Sequence, residues 1–159
     1  MNNNKLIIAA AGSGKTTFLT DEAMKSYKEN VLIATYTEAN EEEIRKKFIK
    51  KYKCVPNHIS IQTWFSFLIK HGIKPYQGTF NELLFRKEIK GMILCNENEG
   101  KYPVTVNGRT FYHPVSEETN FEKHYFTKSF KLYSDRMAKF VVKANKATDG
   151  EVINRISRI

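Results

Sequence analysis

The chain has 159 residues, of which 41% are hydrophobic and 13% aromatic. This length suits one ordinary domain, and the composition excludes global disorder because enough apolar surface exists to offset the entropy lost on folding. Its 26 Lys and Arg exceed its 17 Asp and Glu, and the resulting net charge of +9 suits a polyanionic partner without requiring one.

The first half of the chain alternates apolar runs with helical patterns. Residues 5–11, Lys-Leu-Ile-Ile-Ala-Ala-Ala, precede a glycine turn and predict a strand that is buried on both faces. A helix is predicted over residues 16–29, and a charged helix over residues 39–52 with Ile44, Phe48 and Ile49 facing the core. Further buried strands are predicted at residues 31–35 and 59–63. This alternation predicts an α/β fold with a parallel sheet.

The pattern changes after an aromatic helix that is predicted over residues 64–70. Prolines and glycines then interrupt mixed segments, so residues 74–147 are predicted to form an inserted, mainly helical subdomain. Within it, Asn107-Gly108 stands between β-rich arms and predicts a hairpin over residues 104–112. The remaining front part, residues 1–73, is predicted to be the core domain.

Two helices are predicted near the end of the sequence. Residues 128–143 carry apolar side chains at helical spacing, namely Phe130, Tyr133, Met137, Phe140 and Val141. Thr148-Asp-Gly-Glu151 reads as a capping box that begins a last helix, with Val152, Ile153 and Ile156 facing inward. This helix, within residues 148–159, is expected to lead back to the core.

The strongest motif is a glycine-rich loop between the first predicted strand and helix. Residues 9–16 read Ala-Ala-Ala-Gly-Ser-Gly-Lys-Thr and match the P-loop pattern G-x-x-x-x-G-K-[ST], except that Ala9 stands at the first position. Glycines let consecutive amides point at phosphate oxygens, and the helix adds its positive end. The predicted cofactor-binding residues are Ala9, Ala10, Ala11, Gly12, Ser13, Gly14, Lys15, Thr16 and Thr17.

Two of these side chains have the chemistry that ATP and Mg²⁺ require. Lys15 is expected to reach the terminal phosphates, and the Thr16 hydroxyl is expected to bind the magnesium ion. These two residues are the predicted catalytic residues. An ordinary glycine turn before a helix is the plainer alternative.

Two later segments resemble those of UvrD-like superfamily 1 helicases. Residues 35–45, Thr-Tyr-Thr-Glu-Ala-Asn-Glu-Glu-Glu-Ile-Arg, resemble the family's T-F-T-x-x-A-A-x-E-M-x-x-R, and residues 61–67 resemble its T-F-H-S-F. Alanine at the first P-loop position is also common in that family. The chain departs from the pattern at Asn40 and Glu41, which replace paired alanines, and at Phe65, which replaces a histidine.

The resemblance implies a RecA-like motor domain that couples ATP hydrolysis to translocation on single-stranded DNA, together with a second RecA-like domain. By the same resemblance, nucleic acid would be contacted at two strand ends. The expected residues are Thr35, Tyr36 and Thr37 at one end, and Thr63, Trp64, Phe65 and Ser66 at the other. Aromatic faces can stack on bases, and hydroxyls can hydrogen-bond phosphates.

No predicted strand ends in the acid pair that this type of hydrolysis requires. We therefore expect an amino-terminal fragment that ends before the family's Asp-Glu-x-Gln segment and that hydrolyses ATP negligibly by itself. Two alternatives stay open at this point. One is a small P-loop phosphotransferase, and the other is a noncatalytic nucleotide- or nucleic-acid-binding module.

The remaining residue types favour neither zinc nor a membrane. Cys54 and Cys95 form no C-x-x-C pair, and the four histidines show no metal-ligand spacing. No apolar run approaches the roughly 20 residues that span a bilayer. The expectation is a reduced, cytoplasmic protein that does not bind membranes.

Overall fold

The computed structural model describes residues 6–95 and 100–159, and the chain divides into two compact units, Met1–Thr63 and Trp64–Ile159. No helix in these described ranges is long and apolar enough to cross a membrane.

The first unit contains a parallel two-stranded sheet with a helical crossover. Its elements are α1 (Lys15–Lys25), β1 (Val31–Thr35), α2 (Glu38–Tyr52) and β2 (Ile59–Thr63). β1 and β2 are parallel and in register from Val31 opposite Ile59 to Thr35 opposite Thr63. The core between sheet and helices is formed by Ala23, Ile33, Ile44, Phe48, Ile59 and Ile61. The predicted α/β class, the strands at 31–35 and 59–63 and the intervening helix are confirmed.

Helix α2 begins and ends where its sequence provides caps. The Thr37 side chain accepts a hydrogen bond from the Asn40 amide at 3.2 Å, so one of the unpaired amides of the first turn is satisfied. The first turn is acidic and the last turn basic, which suits the helix dipole. Lys53 then takes a left-handed conformation and ends the helix. Ile49 is exposed, contrary to its predicted core position, because Ile44 and Phe48 already fill the buried side.

The strand predicted over residues 5–11 is wrong for residues 6–11, since they form no strand and Leu6 and Ile8 are exposed. Lys5 lies outside the described residues. A strand needs a neighbour that takes up its backbone hydrogen bonds. Within residues 6–95 and 100–159, β1 and β2 form a sheet of two strands with each other. The apolar run predicted burial but carried no information about a pairing partner.

The second unit is mainly helical, with short strands between the helices. It begins with α3 (Trp64–Phe67), continues through a π-helical turn (Leu68–Ile73) and a 3-10 segment (Lys74–Thr79), and ends in α6 (Met137–Ala147) and α7 (Glu151–Ile156). The elements between are α4 (Glu82–Phe85), β3 (Met92–Ile93), β4 (Lys101–Val106), β5 (Arg109–Pro114), α5 (Phe121–Tyr125), β6 (Leu132–Tyr133) and a 3-10 turn (Ser134–Arg136). Its fully buried side chains include Ile73, Leu84, Tyr125, Leu132, Met137, Phe140 and Val152.

The predicted hairpin is confirmed as β4 and β5. They pair antiparallel from Lys101 opposite Pro114 to Val106 opposite Arg109. Asn107 and Gly108 form the turn with φ values of 50° and 74°, as a two-residue turn with the right twist requires.

The helix predicted over residues 128–143 begins only at Met137. Phe130 has a φ of 60°, which a right-handed helix excludes, and Tyr133 lies in β6, opposite Ile93 of β3. Side chains of a turn, a strand and a helix thus reach one core at spacings that look helical. Met137, Phe140 and Val141 are buried as predicted.

The predicted capping box before α7 is also wrong, although the helix itself is confirmed. The Thr148 hydroxyl donates to the Ala144 carbonyl at 2.8 Å, so it serves the end of α6. The Asn145 side chain accepts from the Ile153 amide at 2.9 Å and takes over the capping of α7. Val152 is buried, whereas Ile153 is exposed, contrary to prediction.

Candidate functional site

The glycine-rich loop before α1 needs glycine for its backbone conformation. Gly12 and Gly14 have φ values of 75° and 85°, in the left-handed region that other residues rarely adopt. A Cβ atom at either position would meet nothing within 4 Å, so packing does not explain the glycines. Ser13 closes the turn, because its amide and hydroxyl donate to the Ala10 carbonyl at 3.3 and 2.8 Å.

The loop delivers the chain into the open amino-terminal end of α1. Gly14 is the capping residue and has no side chain with which to satisfy the first amides. The first turn carries no acidic residue, so its positive end is not neutralised locally. The first internal bond runs from the Phe18 amide to the Gly14 carbonyl at 2.9 Å. Such an end attracts an anion.

Lys15 holds its ammonium group over the same loop. Its Nζ donates to the Ala9 carbonyl at 3.0 Å and to the Ala10 carbonyl at 2.5 Å. Because the side chain is exposed and these acceptors are neutral, an anion that arrives above the loop can compete for the ammonium. Lys15 is therefore placed beside the amides at the amino-terminal end of α1.

A pocket of about 440 Å³ lies at this loop and is large enough for a nucleotide-sized ligand. Its polar lining includes Ser13, Lys15 and Thr16, and its apolar lining includes Ile7, Phe18, Leu19 and Ile44. Thr16 is half-buried and Thr17 is exposed, while Ala9 is half-buried and Ala10 and Ala11 are exposed. Five of the predicted cofactor residues, Ala9, Ser13, Gly14, Lys15 and Thr16, thus line this pocket.

The hydrogen-bond donors of this pocket suit a phosphate group better than they suit a metal ion held by protein side chains alone. Consecutive amides, one ammonium and one hydroxyl suit phosphate oxygens, and the Thr16 hydroxyl can supply one oxygen ligand to Mg²⁺. No group of three or more His, Cys, Asp or Glu residues that could hold a metal occurs in the described parts of the chain. Mg²⁺ commonly takes its other ligands from phosphates and water.

Helix α1, which follows the glycine-rich loop, is joined to α2 by a cluster of three residues. Lys51 Nζ donates to both Asp21 carboxylate oxygens at 2.6 and 2.7 Å, and the Tyr52 hydroxyl donates to one of them at 2.5 Å. The hydrogen bond from Lys51, followed by that from Tyr52, holds the pKa of Asp21 below its ordinary value. The cluster joins α1 to α2 and so helps to position the loop at the start of α1.

The expected nucleic-acid residues of the first unit lie at one edge of its sheet. Thr35 and Thr63 are opposite each other, so β1 and β2 end at the same level. Tyr36 follows directly and exposes 67% of its surface. Thr37 is exposed, although its hydroxyl caps α2, and Thr63 is buried.

The remaining expected contacts begin the second unit. Trp64 is exposed and its ring stacks on that of Phe67, with centroids 5.7 Å apart and planes at 22°. Ser66 is exposed and Phe65 is half-buried. Trp64 therefore combines a firm support with an accessible ring.

Glu41 is a positioning residue that the sequence marked only as a departure from the family pattern. One oxygen accepts two hydrogen bonds from Arg45, and the other accepts one from the Thr63 amide at 3.1 Å. Arg45 also donates to the Ile61 carbonyl at 2.5 Å. The pair joins α2 to the end of β2. Its i, i+4 spacing was the available signal, but that spacing also fits an exposed helical ion pair.

The family model described as UvrD/REP helicase N-terminal domain matches residues 1–92, which is more than half of the chain. This range includes the glycine-rich loop, both strand ends and α3. Comparison with curated proteins and with solved structures gives no match.

Proposed function

We propose, since the chain belongs to the UvrD/REP helicase N-terminal domain family, that its first unit binds ATP with Mg²⁺ as part of a RecA-like helicase motor. The observation that carries this proposal is the pair of left-handed glycines, Gly12 and Gly14, before an uncapped helix with Lys15 beside it. This arrangement supports a phosphate cradle. ATP supplies the phosphoryl group whose hydrolysis would drive the motor.

Each residue of the loop has a separate part in this proposal. The amides that follow Gly12 and the first turn of α1 bind phosphate oxygens, while Lys15 moves its ammonium from the Ala9 and Ala10 carbonyls to the terminal phosphates. Thr16 would hold a magnesium ion through its hydroxyl, with Thr17 as the adjacent donor. Lys15 and Thr16 are thus the proposed catalytic contributions of this chain.

Single-stranded DNA is the proposed track of the motor. Tyr36 presents its ring at the end of β1, and its exposure supports stacking on a base. Thr35, Thr37 and Thr63 stand at the same sheet edge, and Trp64, Phe65 and Ser66 follow along the chain. In the complete helicase, a second RecA-like domain would couple hydrolysis to movement along the strand.

The proposal is tested by titrating the chain with a fluorescent ATP analogue in Mg²⁺. Lys15→Ala should weaken binding by at least about tenfold, because a charge-assisted contact to phosphate is typically worth roughly 1.5–3 kcal/mol. Removing Mg²⁺ with EDTA should also weaken it.

Lys25→Ala is the matched control, since Lys25 is an exposed lysine at the other end of the same helix. Its affinity should stay within about twofold of that of the unaltered chain. Equal affinities of the Lys15→Ala and unaltered chains would refute the phosphate cradle.

A further inference from the structure

The β4–β5 hairpin presents two chemically different faces. Residues opposite each other in an antiparallel pair share a face, and successive residues alternate between faces. We call one the ring face, which comprises Tyr102, Val104, Val106, Arg109, Phe111 and His113. The opposite face comprises Lys101, Pro103, Thr105, Thr110, Tyr112 and Pro114.

The ring face is exposed although it carries large apolar groups. Tyr102 and Phe111 each expose 50% of their surface, and in both strands every residue other than the half-buried Val104 is exposed. A two-stranded hairpin is only marginally stable by itself, and apolar groups that stand together on one exposed face can mark an interaction surface. The hairpin also lies outside residues 1–92, where the family model matches.

The base of the hairpin is anchored to the core of the second unit. The Gly100 carbonyl accepts hydrogen bonds from the Val115 amide and from buried Arg136, each at 3.3 Å. Arg136 also donates to the His124 carbonyl and lies 4.9 Å from the centre of the Tyr133 ring. Gly100 has a φ of 70°, and a Cβ there would lie 3.0 Å from the Arg136 guanidinium. The ribbon is therefore held at a defined base.

The spacing of the rings suits a row of bases. Tyr102 and His113 form one cross-strand row, with ring centroids 6.1 Å apart, and Phe111 with Val104 forms the next. Successive rows on one face are two residues apart, which corresponds to roughly 6.4–6.8 Å along a strand. Arg109 stands at the turn end of the same face. Bases that are splayed from one strand can stack on such rows in turn.

The charge of the ribbon selects the class of partner. Residues 101–114 contain Lys101 and Arg109 and no Asp or Glu, and the whole chain carries a net charge of +9. A single-stranded nucleic acid complements the positive charge through its anionic backbone and the exposed rings through its aromatic bases. We propose that the ring face of the hairpin is a second binding site for single-stranded nucleic acid, with bases on Tyr102, Phe111 and His113 and a phosphate on Arg109. This inference does not depend on the ATP site.

The test measures binding of the full chain to fluorescein-labelled 20-nucleotide oligothymidylate and oligouridylate by anisotropy. Tyr102→Ala and Phe111→Ala should each weaken binding by at least about fivefold, whereas Phe111→Tyr, which retains a ring, should stay within twofold. Tyr112→Ala is the matched control, because Tyr112 exposes 46% of its surface on the opposite face of the same ribbon. It should also stay within twofold.

Equal losses for Tyr112→Ala and Phe111→Ala would overturn the assignment to the ring face, and so would the absence of any loss. Photo-cross-linking with 5-iodouridine should yield adducts at Tyr102 or Phe111, and adducts confined to other residues would overturn the inference. Tyr36→Ala tests the DNA contact proposed for the first unit, and the ATP titration tests the proposed phosphate cradle. If these behave as proposed while the hairpin variants bind normally, the hairpin inference alone fails.

Discussion

The ionisation of Glu117 is strongly shaped by the structure. It follows β5 and pairs with Lys139 at 3.0 Å and with Lys143, which are one turn apart on α6. Burial acts to raise the pKa of Glu117, but hydrogen bonds from Lys143 and Lys139 and their positive charges outweigh it and lower the pKa to about 2. The carboxylate thus joins the segment after the hairpin to a core helix.

The lowered pKa predicts loss of stability in acid. Because the folded-state pKa lies below the ordinary value of 4.5, the ion pairs contribute fully above pH 4.5 and are lost as the pH falls towards about 2. Glu117→Gln should therefore show a shallower decline in the free energy of unfolding over this interval. Urea unfolding at several pH values measures it, with exposed Glu118→Gln as the control. Parallel declines in all three chains would contradict the prediction.

At the scale of elements, a side-chain link joins α2 to the end of β2. Glu41 is the connection, because it accepts from Arg45 of its own helix and from the Thr63 amide. Glu42, the next residue, pairs instead with Lys46 on the exposed side of the helix. Neighbouring carboxylates of α2 therefore differ in role: Glu41 bonds to the end of β2, whereas Glu42 forms an exposed ion pair within the helix.

Glu41→Ala should lower the free energy of unfolding by about 1–3 kcal/mol, since the Thr63 amide and Arg45 lose a charged acceptor. Amide exchange at Thr63 should become faster. Glu42→Ala is the control and should change stability by no more than about 0.5 kcal/mol, as expected for an exposed pair. Unchanged protection of Thr63 in the Glu41→Ala chain would show that another acceptor holds this strand end.

At the scale of the whole molecule, charge is the feature that both proposed nucleic-acid sites share. The net charge of +9 favours any polyanion over distances limited by salt screening. Stacking rings at Tyr36 and on the hairpin would add contacts that do not depend on base sequence. Affinity should therefore depend strongly on salt and weakly on sequence.

The logarithm of the affinity for oligothymidylate should fall linearly with the logarithm of salt concentration. A slope steeper than about −2 is expected, which corresponds to about three neutralised phosphates on a single strand. Titrations between about 50 and 200 mM salt measure this slope. A methylphosphonate oligonucleotide of equal length, which lacks backbone charge, is the control. Its affinity should show little of this dependence on salt. Identical slopes for the two oligonucleotides would argue against phosphate contacts.

Local signals in the sequence were sufficient to predict several of the secondary-structure elements of this protein. Strands at 31–35 and 59–63, helix α2 and the Asn107-Gly108 hairpin were predicted, because the spacing of apolar residues and the choice of turn residues act over a few positions. The glycine-rich loop was also evident in the sequence, and the structure adds that Gly12 and Gly14 adopt the left-handed conformation that glycine tolerates. The functional roles of Lys15 and Tyr36 stay predictions.

Only the tertiary structure decided which atoms serve as partners. The apolar run at residues 6–11 has no strand beside it in the described parts of the chain, Phe130 turns before α6, and Asn145 replaces Thr148 as the cap of α7. Glu41 meets Thr63 across 22 residues of sequence. Periodicity and propensity report a residue's preferred neighbourhood, whereas pairing and hydrogen bonding depend on groups that are distant in the chain.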